Sequence, residues 1–116
     1  MSESCQAVKA ILSRVGDKWS VLVVVALRDG PLRFNEIKRA AGTISQRMLT
    51  LTLRGMERDG FVKRTVTPTN PPRVDYELTP LGHSLRQPVE NLGQWAVDHS
   101  AQIRAAQDRF DAAHVD

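Results

Sequence analysis

The sequence predicts a mainly α-helical chain with one small β-hairpin, an α+β class. Three observations carry that reading. Apolar residues recur at helical spacing through most of the chain, and one pair of alternating segments, "FVKRTVT" and "RVDYELT", frames the proline-rich "PTNPP". A glycine or a capping residue stands at most changes of pattern.

The first helix is expected from Cys5 to Val15, with Ala7, Val8, Ile11, Leu12 and Val15 on one stripe and Gly16 closing it. Asp17 is placed to cap a second helix, its carboxylate accepting backbone N–H bonds. That helix should reach Gly30-Pro31, which cannot continue it. The "VLVVVAL" run has strand-like valines, but its length between cap and breaker favours a buried helix. Leu32, Arg33 and Phe34 form a short extended link before Asn35 caps a helix through "EIKRA". Gly42 ends that helix in a left-handed conformation and Ser45 caps the next, giving a helix-turn-helix with Ile37 and Ile44 packed between its helices.

In the helix after Ser45, Met48, Leu49, Thr52, Leu53 and Met56 form the expected inward stripe, which leaves Gln46, Arg47, Thr50, Leu51 and Arg54 outside. Gly60 stops it. Two strands follow, joined by a loop that its prolines bar from pairing. A hairpin alone is marginal, so it must lie on the helices. Thr79-Pro80 then reads as a cap with proline in the first turn. Leu81, Leu85, Val89, Leu92, Ala96, His99, Ile103, Ala106 and Phe110 hold an approximate stripe beyond it, with a kink or restart expected at Pro88. The order of elements is that of a winged helix-turn-helix with helical arms. The 116 residues read as a single domain spanning 1–116, with dimerisation arms at 5–15 and 81–110, the helix-turn-helix at 35–59 and the wing hairpin at 61–79.

With 41% hydrophobic and 25% charged residues, the chain has the composition of a folded protein. Its formal charge of +3 is unevenly spread: residues 28–73 hold ten Lys or Arg against four Asp or Glu, and residues 81–116 hold three against five. A localised positive field points to an anionic partner such as nucleic acid. The polar start "MSESCQAVKA" does not read as a signal peptide, and Val21 to Leu27 is too short to span a bilayer. One cysteine, Cys5, suits a reducing compartment, so a cytoplasmic protein without a membrane partner is expected.

An exposed helix carrying Arg and Gln fits a DNA major groove, where Arg pairs with guanine O6/N7 and Gln with adenine N6/N7. Thr50 or Leu51 would meet a thymine methyl, and Ser45 with the helix N-terminus would hold a phosphate. Lys63, Arg64 and Arg73 suit a wing lying over the backbone or minor groove, and Lys38 and Arg39 fit phosphate contacts or solvated charges. Trp19 and Trp95 are expected as core or dimer anchors. His83, His99 and His114 are scattered without metal-ligand spacing, and no phosphate-binding glycine loop is present. No cofactor, no metal and no enzymatic activity are expected.

The blocks "RVGDKWSVLVVVAL", "GPLRFNEIKRA", "ISQRMLTLTLRGMERDGFVKR", "PPRVDYELTPLG" and "PVENLGQW" resemble successive blocks of the HxlR-type winged-helix transcriptional regulators over roughly residues 5–100. The resemblance implies a homodimer on palindromic operator DNA, with the helix from Ser45 as reader and "PTNPPRV" in the wing. It places Gln46, Arg47, Thr50 and Arg54 toward DNA and Arg73 on the wing. Leu51 and Gly55 depart from the family pattern. It also suggests that Cys5 senses oxidants or electrophiles, with a small-molecule or oxidant effector as partner; Ser2 or Ser4 would cap the helix and favour the thiolate. The apolar positions Val8, Ile11, Leu12, Trp19, Leu85, Val89, Leu92, Trp95 and Ile103 are expected at the dimer interface. The competing reading is a protein-interaction module on the same scaffold, without specific DNA readout. An enzyme using Cys5 as nucleophile would lack a base partner.

Overall fold

The computed structural model describes residues 3–114, and side chains from Cys5 to His114. Six helices and one hairpin follow in order: α1 (Glu3–Val15), α2 (Lys18–Leu27), α3 (Phe34–Ala41), α4 (Gln46–Arg58), β1 (Val62–Thr67), β2 (Arg73–Leu78), α5 (Pro80–Ser84) and α6 (Arg86–Ala113). The chain divides after Arg86 into two compact units. The first holds the helix-turn-helix and the hairpin, and α6 forms the second. The mainly helical fold with a two-stranded antiparallel hairpin agrees with the class expected from sequence.

Helix α2 is the centre of the first unit, packed by α1, α3, α4 and β2. Its Val23, Val24 and Leu27 join Ile37, Ile44, Leu49, Leu53 and Met56 in the buried core, and Phe61, Val62 and Leu78 close it from the root of the hairpin. A "VLVVVAL" helix therefore forms because its valines are surrounded on several sides, and burial overrides their modest helix propensity. The helix stops at Leu27, short of the expected Gly30-Pro31 boundary: Arg28 and Gly30 donate three residues back, to Val25 and Leu27 C=O, and the chain turns through Gly30 at φ +144°. Asp17 occupies the cap position with extended backbone, but its carboxylate makes no cap hydrogen bond. It is exposed and remains in solvent, where its charge still opposes the positive end of the helix.

Helix α3 opens at Phe34, one residue before the expected Asn35 cap, because the Glu36 carboxylate accepts the N–H of Arg33 at 2.9 Å. Gly42 then takes φ +82°, a conformation costly for residues with a Cβ. Ser45 caps α4 as expected: its hydroxyl accepts the Met48 N–H at 3.1 Å. At the other end of α4, Phe61 N–H donates to Met56 C=O at 2.9 Å and Gly60 N–H to Glu57 C=O at 3.1 Å. With Gly60 at φ +85°, these bonds make a Schellman ending that directs the chain into β1.

The hairpin pairs Val62 with Leu78 at its root and Thr67 with Arg73 near its tip. Leu32, in the link before α3, forms an isolated bridge to Tyr76, exchanging N–H···O bonds of 2.9 and 2.8 Å. That bridge ties the start of the helix-turn-helix to the hairpin. Thr79 caps α5 by accepting the Gly82 N–H at 3.1 Å, with Pro80 in the first turn. The expected break at Pro88 instead falls at Leu85: Pro88 lies in the first turn of α6, where a missing N–H disrupts no helical bond. No residue of the 28-residue α6 is fully buried.

Candidate nucleic-acid interface

The face of α4 is set by which of its residues the core claims. Leu49, Thr52, Leu53 and Met56 are buried, leaving Gln46, Arg47, Leu51 and Arg54 exposed on the other side. Met48, expected inward, is 40% exposed and belongs to the open side of the first turn. Ile44, just before the cap, and Leu49 are buried on the core side of this turn. Thr50 is half-buried and donates its hydroxyl to the Gln46 carbonyl at 2.9 Å. Its methyl, not its hydroxyl proton, is therefore its free contact group. Leu51 adds an apolar surface, 51% exposed, between two arginines.

The hairpin extends this face. Strand alternation sends Lys63 and Arg64 to opposite sides of the ribbon, opposite Glu77 and Tyr76 respectively. Arg64 thereby joins Thr50, Leu53, Arg54, Glu57 and Tyr76 around a groove of about 280 Å³ between α4 and the strands. Lys63 lies across the ribbon from that groove. At the base of the loop, Arg73 Nε donates to Asp75 Oδ2 at 3.1 Å, an exposed pair that holds the guanidinium along the strand. Ser45, at the N-terminus of α4, is exposed with its hydroxyl engaged in the cap.

Two contributors were not visible in local sequence patterns. Tyr76 lines the groove beside Arg54 and Arg64 only because the strand register puts it there. Arg14, at the end of α1, donates from Nε to Asp59 Oδ2 at 2.7 Å and so ties α1 to the C-terminal cap of α4. Its guanidinium lies over Gly55, where a Cβ would run into it. The glycine that looks out of place in a helix is the seat for this arginine, a pairing no helical periodicity announces.

The positions expected at a dimer interface lie on both units. On α1, Val8, Ile11 and Leu12 are exposed, Trp19 is half-buried under the Lys18 ammonium, 4.7 Å from its ring centre, and Leu85 is half-buried. On α6, Val89 is half-buried, whereas Leu92, Trp95 and Ile103 are exposed. Trp95 is thus no core residue: its ring stacks on His99 at 4.5 Å and the residue is 52% exposed. Cys5 is exposed on the first turns of α1. Helix α1 begins at Glu3, two residues before the expected Cys5, so Ser4 lies inside the helix and does not occupy its cap position; Ser2, the other expected cap, lies outside the described residues. Among the described residues no helix is long and apolar enough to cross a membrane.

A family model described as HxlR-like helix-turn-helix matches residues 14–104. The chain belongs to the HxlR-like helix-turn-helix family. It is 37% identical over 107 residues to the HTH-type transcriptional regulator YtfH of Escherichia coli K12, itself uncharacterized, covering 92% of this chain and 84% of that one. A Salmonella typhimurium structure named for the transcriptional regulator ytfH superposes with a TM-score of 0.78 at 39% identity, over 86% of this chain and 89% of the other. The redox regulator HypR in its reduced form also gives a TM-score of 0.78, at 37% identity, over 85% and 98% of the two chains. The family and these relatives are transcriptional regulators and not enzymes. The protein is a winged-helix transcriptional regulator of this family.

Proposed function

We propose that the protein acts in the cytoplasm as a homodimer that binds palindromic operator DNA sequence-specifically. Each copy lays α4 in a major groove and its hairpin over the neighbouring backbone, with the two reading helices about 34 Å apart. The observation that carries this reading is the side of α4 left by the core: Gln46, Arg47 and Arg54 are all exposed on it, and Arg64 meets Arg54 across the adjacent groove. Arg47 and Gln46 offer the paired donors and acceptors that base edges require. Leu51 and the Thr50 methyl supply apolar contacts for a thymine methyl. Ser45, Lys63, Arg64 and Arg73 hold backbone phosphates, which set register without carrying sequence.

In this reading α1 and the segment from α5 through α6 form the dimer, using Val8, Ile11, Leu12, Trp19, Leu85, Val89, Leu92, Trp95 and Ile103. Arg47→Ala tests the reading helix: it should relax base preference and cost about 1 to 3 kcal/mol on the preferred site. Lys63→Ala should instead weaken all sequences alike. Unchanged affinity in Arg47→Ala sinks the assignment of α4. A protein-interaction module would lack the steep loss of duplex binding with salt that counterion release imposes.

Regulation by oxidants through Cys5 is a second element of the proposal. It is supported by the exposure of Cys5 on α1 and by the likeness to HypR, a redox regulator. A disulfide or adduct there would shift α1, which the Arg14 to Asp59 pair couples to α4. Loss of operator binding on oxidation, reversed by reductant and absent in Cys5→Ser, is the expected result. An equal oxidant response in Cys5→Ser would end this part of the proposal.

A further inference from the structure

Beside the hairpin, on the side of α3, lies a recess of about 730 Å³. Arg33, Phe34 and Glu36 line it from the start of α3, Arg39 from the last turn of that helix, and Pro72 and Arg73 from the wing. It exists because the Leu32 to Tyr76 bridge holds the first turn of α3 against β2. This brings Arg73 of the wing beside two arginines at opposite ends of α3, Arg33 at its N-cap and Arg39 in its last turn. We propose that Arg33, Arg39 and Arg73 form a clamp for a DNA backbone phosphodiester. The inference deepens the operator-binding reading and rests on it for the partner being duplex DNA.

The charge balance of the recess favours a monoanion held by several donors. Its one acidic lining residue, Glu36, is already committed to capping α3 through the Arg33 N–H. Among the described residues no carboxylate lies within ion-pair distance of the Arg33 or Arg39 guanidinium, whereas Arg73 is aligned by Asp75. Both Arg33 and Arg39 are exposed, so neither is held by burial in a structural role. Guanidinium groups present N–H donors in a planar fork matched to phosphate oxygens. The wing wall at Pro71 and Pro72 offers no N–H of its own, so binding depends on the arginines. The first turn of α3 adds the positive end of an eight-residue helix.

The position also fits duplex DNA. The recess opens beside β2 toward α3, and the Arg54 to Arg64 groove opens between α4 and the same ribbon. Basic groups thus line both recesses beside the hairpin, as a wing lying along a polyanionic strand requires. The clamp carries no base-reading group, so it contributes affinity and register and not sequence preference.

The test uses the full chain and measures duplex affinity against salt for the wild type, Arg33→Gln, Arg39→Gln and the double variant. Both a selected operator and a random duplex serve as probes. Each arginine lost should reduce the slope of log K against log salt by about 0.9, with base preference unchanged. Arg33→Lys and Arg39→Lys should retain the wild-type slope, since the charge remains. Arg109→Gln on α6 removes a charge remote in sequence from the recess and should leave the slope unaltered. A wild-type slope in the double variant overturns the clamp, even if the operator is still recognised. A reduced slope on random duplex alone, with no preferred site for any protein, would keep the clamp and remove the sequence-specific reading. Should Arg33→Gln disturb folding, as a melting curve would reveal, the exposed Arg39→Gln decides alone. Absence of duplex binding at any salt overturns both.

Discussion

Leu49 and Leu53 on α4 are sealed in the core, whereas Leu12 on α1 and Leu92 on α6 are 59% and 61% exposed. All four stand on amphipathic stripes that look alike in the sequence. The helix-turn-helix satisfies its apolar residues within one chain, through α2 and the root of the hairpin. The outer helices expose Val8, Ile11, Leu12, Leu92, Trp95, Ile103 and Phe110 to solvent. Fully burying one such side chain is worth roughly 1.5 to 3 kcal/mol, so leaving seven open forgoes a large stabilisation. The difference teaches that the helix-turn-helix is a self-contained structure, while α1 and α6 leave apolar surface uncovered. A second copy of the chain is the partner proposed above.

Truncation in the self-contained region should show the largest effect. Leu53→Ala would leave a cavity beneath α4 and should cost about 2 to 5 kcal/mol in chemical denaturation, with loss of the cooperative transition at elevated temperature. A smaller effect on the fold but a decisive one on assembly is expected for Trp95→Ala. Its side chain is 52% exposed and stacks on His99, so helical content should persist while dimer affinity falls by about 2 kcal/mol or more in light scattering across a dilution series. Equal destabilisation by both substitutions would erase the distinction between the two regions.

The smallest expected effect lies at their junction. Gly55→Ala gains helix propensity of about 1 kcal/mol but displaces the Arg14 guanidinium and its pair with Asp59, itself worth up to about 1 kcal/mol at its partly exposed position. The two should nearly cancel in melting experiments. In an Arg14→Ala background the same change should stabilise by about 1 kcal/mol, and the difference between backgrounds measures the coupling of α1 to α4. If both backgrounds respond alike, Arg14 does not link α1 to α4.

How much of this was legible depended on the range of the interaction involved. The Ser45 cap, the glycine ending at Gly60, the Thr79-Pro80 start and the two alternating strands are encoded by neighbours within one turn, and the sequence expectation places them correctly. The boundaries at Asn35, Gly30 and Pro88 shifted because competing local bonds were available: Glu36 capped α3 earlier, α2 turned before its proline, and Pro88 was accommodated in a first turn. Met48, on the edge of the expected stripe, stays 40% exposed while Ile44 and Leu49 are buried. What the sequence hid was long-range: the bridge from Leu32 to Tyr76 that gathers Arg33 to the wing, and the Arg14 guanidinium seated on Gly55. Helical periodicity identifies apolar faces, but it cannot say which of them the same chain will cover.

The central claim is that the open side of α4 reads bases as part of a dimer. Selection of the purified protein against random DNA duplexes, at near-physiological salt, tests it most directly. The account expects recovery of a palindrome whose half-sites are centred about one helical turn apart, each containing a guanine or adenine step suited to Arg47 and Gln46. Recovery of salt-sensitive binding with no common sequence would contradict it, leaving the basic face as a non-specific surface and α4 without its assigned role.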